Sequence, residues 1–152
     1  SQQVESVFGL PVVAGPMGVR RDVWQAVGGN VVGWHVTGED FDFALRVRRD
    51  LGIEPVFAAD ALYHYRLRGD AAGTFRQARR YGRGHAALFA RHIDRPGPLG
   101  PRARAVGASW WWVASRAPVA LADPSRRLRW ARTAGVRLGR TVGSLREGRL
   151  AP

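Results

Sequence analysis

The chain has 152 residues, 45% of them hydrophobic and 10% aromatic, and no cysteine. That is enough apolar material for one core, and it excludes a disulfide framework or a cysteine metal site. The net charge is +12, carried by 24 arginines with no lysine, which favours anionic partners: phosphates, acidic lipids or nucleic acid. No secretory leader is visible, and the chain opens on Ser1 inside an apolar run, which reads as a piece of a longer polypeptide.

Residues 4–13 are apolar and β-branched, broken by Gly9 and Pro11, and read as one or two short strands. Residues 14–18 are a tight loop. Arg21 to Val27 reads as a short helix with Val23, Trp24 and Val27 facing inward, ended by Gly28-Gly29-Asn30. A loop over residues 31–37 carries two large polar-tipped rings, Trp34 and His35.

Gly38-Glu39-Asp40-Phe41-Asp42 then packs three carboxylates into four residues. From residue 41 to 51 the apolar positions form two stripes, Phe41, Ala44 and Leu45, and Phe43, Val47 and Leu51. Two stripes predict a helix buried on much of its surface, with Gly52 as its stop. Glu39 and Asp40 fall at its N-terminus, where free N–H groups and the helix dipole favour charged carboxylates. Two roles are open to Asp40. One is an N-cap. The other is a general base that takes a proton from a substrate hydroxyl. A cap alone does not need the whole cluster.

Residues 54–58 read as a short strand and 60–65 as a second one after a turn, and His64 on the second is either structural or a ligand for a hard metal ion. Thr74 is the expected N-cap of a helix over residues 75–93, with Phe75, Ala78, Gly82, Ala86, Phe89 and Ile93 at helical spacing. Gly82 and Gly84 mark a close backbone contact or a kink in it. Gln77 and Arg80 are neighbours one turn apart, followed by Tyr81; such an arginine grips a diphosphate or lies on a solvated face. His85 and His92, two turns apart, read as structural. Residues 95–101 are a Pro/Gly breaker. Beyond it, Trp110, Trp111 and Trp112 suit either a membrane interface or burial against the protein. Arg116 and Pro118 interrupt that run, so it is no membrane span. Ser125 is the expected cap of a last helix with a seam of Leu128, Ala131, Gly135, Leu138, Val142 and Leu145. Its arginine-covered remainder can lie on anionic lipid, pack on a partner, or form a solvated face of a helix packed on its own domain. No Walker, dinucleotide, zinc or Gly-x-Ser-x-Gly pattern occurs.

Together these stretches resemble the C-terminal half of a family 2 inverting glycosyltransferase with a GT-A fold. The resemblance rests on Ala14 to Gly29 (small-residue loop, Arg20-Arg21 helix, Gly-Gly turn), Gly38 to Arg46 (the Glu-Asp motif and its helix), Asp60 to Tyr65, and Gln77-Ala78-Arg79-Arg80-Tyr81. The last is similar to a Gln-x-x-Arg-Trp motif, with Tyr81 in the Trp place, a departure from processive members. The implied fold is α/β (α+β for this part): the C-terminal half of the catalytic domain over residues 1–94, a linker over 95–107 and a helical Trp- and Arg-rich tail over 108–152.

The resemblance implies Asp40 as the base on the acceptor hydroxyl, with Glu39 orienting it or binding the acceptor. It implies His64 completing an Mg²⁺ or Mn²⁺ site, and Gln77, Arg80 and Tyr81 at diphosphate or acceptor. Trp34 and His35, placed just before the acidic motif, are expected at the acceptor sugar. The implied partners are a nucleotide-diphosphate sugar donor and a glycan or lipid-linked acceptor, in cell-envelope synthesis at the inner face of the plasma membrane. The family's nucleotide-binding half and Asp-x-Asp motif are expected ahead of Ser1, so the chain alone is expected to be inactive. The rival reading is a non-enzymatic basic adaptor for anionic lipid or nucleic acid. It leaves the acidic cluster unexplained, and the chain carries no nucleic-acid-binding motif.

Overall fold

Spacings of three and four residues run through most of the chain, and helices result. A computed structural model describes residues 17–31, 37–56, 58, 60, 61, 64 and 68–152. Among them are five helices: α1 (Arg21–Ala26), α2 (Glu39–Leu51), α3 (Ala71–His92), α4 (Leu99–Ala122) and α5 (Pro124–Glu147). Of the described residues 72% are helical and none is in a strand. The described residues are therefore all-α, which corrects the expected α/β GT-A architecture. Residues 54–56 and 58, expected in a strand, are in none. The Ala61 N–H donates to the Ala58 carbonyl at 3.2 Å, at the turn expected between the two strands. Residues 62, 63 and 65 of the second expected strand lie outside the described residues. The expected strand over residues 4–13 lies outside the described residues.

The chain divides into two units, Ser1–Arg66 and Leu67–Pro152. In the first, α2 begins and ends on glycines in the left-handed region, Gly38 at φ 109° and Gly52 at φ 66°. It buries Phe43, Ala44 and Val47, whereas Leu51, expected inside, lies at the surface. Trp24 of α1, also expected inside, is 37% exposed, but its ring stacks on Phe43 with centroids 5.1 Å apart.

In the second unit α3 and α5 touch backbone to backbone. A Cβ at Gly82 would collide with the Val136 carbonyl of α5, and one at Gly139 with the Arg79 carbonyl of α3. Gly135 and Gly143 extend the contact to Phe75, Ala78 and Ala86. The buried residues of α5 are Ala131, Ala134, Gly135, Arg137, Gly139, Gly143 and Ser144. Of the expected seam, Ala131 and Gly135 are buried, Leu138 and Val142 are half-buried, and Leu128 and Leu145, the latter 79% exposed, lie off the buried face. Small residues win because they let two helices approach until their backbones meet. The caps also differ from expectation. Asp70, not Thr74, caps α3 by accepting from the Gly73 N–H. Asp123, not Ser125, caps α5 with Pro124 behind it at the first helical position, where a missing N–H costs nothing. Leu99 and Pro101, read as breaker residues, already belong to the first turn of α4.

His85 of α3 faces Arg140 of α5, whose Nη2 lies 2.9 Å from its Nδ1. A guanidinium only donates, so the imidazole accepts there and is neutral. Burial, and then the Arg140 charge, push its pKa down to about 4. The same packing lowers the Arg140 pKa, through burial and then the charge of Arg137. Because the unfolded histidine titrates near 6.5, the unfolded state binds the extra proton between the two values, and stability must fall as pH drops through that window. Urea unfolding should show a loss on the order of 2–3 kcal/mol between pH 7 and pH 4 in the parent that is absent from a His85→Gln variant. Parallel pH profiles for the two proteins would contradict this assignment.

Candidate active site

The acidic motif owes its position to one arginine. Gly28 and Gly29 close α1 with φ of 75° and 67°, a backbone only glycine adopts easily. A Cβ at Gly29 would meet the Trp24 ring at 2.9 Å. The turn therefore presents two carbonyls, those of Val27 and Gly29, and Arg46 of α2 donates to them from Nη1 and Nη2 at 2.7 Å each. Its Nε donates to the Asp42 carboxylate at 2.9 Å, one helical turn back. Its guanidinium also sits over the Phe43 ring, 5.7 Å from the centroid. Asp42 is 1% exposed and Arg46 7%. Every donor-bearing nitrogen of this guanidinium is thus engaged, which is what a buried ion pair needs to offset its desolvation. The Gly-Gly turn, α1 and α2 form one locked piece.

The two remaining carboxylates stand at the exposed end of that piece. Gly38 is the N-cap of α2 and no side chain caps it, so Asp40 is not the cap residue. Asp40 is half-buried, and its Oδ1 accepts from the Phe41 N–H at 2.9 Å. Glu39 is exposed and reaches back to the Gly38 N–H at 3.0 Å. The arrangement fixes one carboxylate, Asp40, at a rigid helix start with apolar Phe43 and Ala44 behind it, and leaves a second at the solvent edge.

His64 is exposed. Among the described residues no group of three His, Asp or Glu side chains is placed to hold a metal ion; His64 offers a single ligand. Trp34 and His35 lie outside the described residues. On α3, in the second unit, the Gln77 side-chain amide donates to the Tyr81 hydroxyl at 2.9 Å across one turn, and Arg80 is exposed beside them. The Asp42–Arg46 pair was the functional support that sequence reading passed over. Its signal was present in the four-residue spacing of opposite charges, but the acid cluster drew attention to its exposed members.

A concavity of about 270 Å³ opens between α4 and α5. It is lined by Trp112, Arg116, Val119, Ala120, Arg126, Arg129 and Trp130. Among the described residues no helix is long and apolar enough to cross a membrane.

Residues 1–137 match the family model described as glycosyl transferase family group 2. No curated protein and no solved structure gives a significant match to the chain.

Proposed function

The chain belongs to glycosyl transferase family group 2, and on that premise we propose that it carries the general base and part of the acceptor site of an inverting transfer from a nucleotide-diphosphate sugar. The acceptor is a glycan or lipid-linked hydroxyl of cell-envelope synthesis. Asp40 takes the hydroxyl proton. The acceptor oxygen forms the new bond to the anomeric carbon as the bond to the diphosphate oxygen breaks, and the electron pair leaves with the diphosphate. Glu39 hydrogen-bonds or orients the acceptor. Arg80, with Gln77 and Tyr81, meets diphosphate or acceptor. A divalent ion, when bound, would offset charge on the leaving diphosphate; His64 is its one candidate ligand here, and no step above runs through it.

The single observation supporting this reading is the half-buried Asp40 carboxylate at the start of a helix that Asp42 and Arg46 lock to the Gly28-Gly29 turn. A general base must hold its position while the substrate arrives. The test is the stereochemistry of transfer by the full enzyme from an α-linked nucleotide-sugar donor, read by proton NMR of the first product. A β-linked product is expected from single displacement. An α-linked product would replace the base role with another mechanism.

A further inference from the structure

The second unit holds a feature that the transfer reaction does not use. On α4, Val113 and Ala120 are buried, and residues 102, 106, 109, 110 and 117 on the same side are half-buried. The opposite side carries Arg104, Gly107, Ala108, Trp111, Ala114, Ser115, Pro118 and Leu121, all exposed. Trp111 is 74% exposed and Leu121 69%. The helix is thus apolar on two sides, and only one of them is packed on protein in this unit. The three tryptophans divide accordingly. Trp110 donates from Nε1 to the Thr141 hydroxyl, Trp112 lines the cleft, and Trp111 points away from both.

The cleft lies along the flank between these two sides. Its two indoles are held. Trp130 donates from Nε1 to the Val113 carbonyl at 2.9 Å, and the Arg116 guanidinium lies 6.0 Å from the Trp112 ring centroid. Of its three guanidiniums, Arg126 pairs with Asp123 at 3.1 Å. Arg116 and Arg129 have no carboxylate partner among the described residues. From residue 99 onward eleven arginines face two carboxylates, Asp123 and Glu147. A volume near 270 Å³ suits a headgroup better than a whole drug-sized ligand, which takes roughly 300–1,000 Å³.

We propose that this cleft holds the phosphoryl headgroup of an anionic phospholipid, with Arg116 and Arg129 as its principal ligands and the outer face of α4 resting on the bilayer surface. Charge complementarity selects the phosphoryl group, because guanidiniums bind it through paired N–H bonds. The apolar outer face selects a lipid over free phosphate, because a bilayer covers Trp111, Pro118 and Leu121 while the headgroup sits in the cleft, and free phosphate leaves them in water. Exposed tryptophan beside basic residues is the composition of an element lying in the interface plane. This site stands or falls independently of the Asp40 chemistry.

The test is flotation of the full chain with phosphatidylcholine vesicles, alone or with about 30 mol% phosphatidylglycerol, where each arginine at an anionic surface contributes several-fold to binding. The parent should prefer the anionic vesicles at least tenfold. The double variant Arg116→Gln/Arg129→Gln should lose about tenfold or more, whereas Arg132→Gln/Arg146→Gln, two exposed arginines of α5 outside the cleft, should lose clearly less. Equal losses in the two pairs would mean diffuse charge and no site, and would overturn the proposal. Trp111→Ser should also weaken vesicle binding. If it does not, and about 10 mM inorganic phosphate displaces the parent fully, the occupant is free phosphate and the lipid assignment is wrong. Cleft-dependent binding of duplex DNA with no vesicle preference would overturn it too. Circular dichroism controls for folding. If the glutamine pair unfolds, Arg116→Lys/Arg129→Lys, which keeps charge and loses the paired geometry, should show an intermediate loss.

Discussion

Gly139→Ala should destabilise the chain by about 3 kcal/mol, although alanine is the better helix former by about 1 kcal/mol. The sign is decided by what the added methyl meets. At position 139 a Cβ points at the Arg79 carbonyl and the Gly82 Cα of α3, both backbone. Backbone cannot rotate aside as a side-chain tip can, so the two helices would have to separate, opening the contact among Ala78, Gly82, Gly135 and Gly143. Gly107→Ala is the control. Gly107 also lies within a helix, α4, but nothing stands within 4 Å of its Cβ position. That substitution should follow propensity alone and stabilise by up to about 1 kcal/mol. Urea unfolding followed by circular dichroism separates the two. A Gly139→Ala protein as stable as the parent would mean that α3 and α5 do not meet through their glycines.

The same contact shows where sequence was legible and where it was not. The start and stop of α2 could be read because Gly38 and Gly52 bracket a strong three-and-four spacing. The long stripe of α3 could be read for the same reason, and Gly82 was flagged there as a close approach or a kink; it is a close approach. The α5 stripe could be read in part: its small members Ala131 and Gly135 are buried. Leucine spacing marks only where apolar surface could go, and the glycines four residues apart, at 135, 139 and 143, decide which face a neighbouring backbone can reach. The caps were misplaced by neighbouring candidates. Asp70 and Thr74 both carry cap chemistry, as do Asp123 and Ser125. In the first case the third helical residue is Gly73, open to the Asp70 carboxylate. In the second, Pro124 takes the first helical position and moves the cap back to Asp123. The strand expected over residues 54–58 rested on composition alone, which cannot supply the pairing partner that a strand requires.

Asp40→Asn should reduce transfer by the full enzyme by about 10²- to 10⁴-fold and leave donor binding unchanged. Asparagine keeps the size and the Oδ1 acceptor that the Phe41 N–H uses, so the helix start should survive, and only the capacity to take a proton is lost. The other carboxylates of the cluster are poorer bases for reasons visible in their surroundings. Asp42 is fully buried and committed to Arg46; protonating it would break the ion pair that fixes the Gly28-Gly29 turn. Glu39 is exposed and turned back on the Gly38 N–H, where water competes for every hydrogen bond it makes. Its Gln variant should therefore cost far less, about tenfold, through acceptor positioning. Turnover and donor affinity measured side by side decide the matter. Near-parental turnover in Asp40→Asn would remove Asp40 from the mechanism. Loss of donor binding in step with turnover would make it a structural carboxylate, holding the helix start in place without moving a proton.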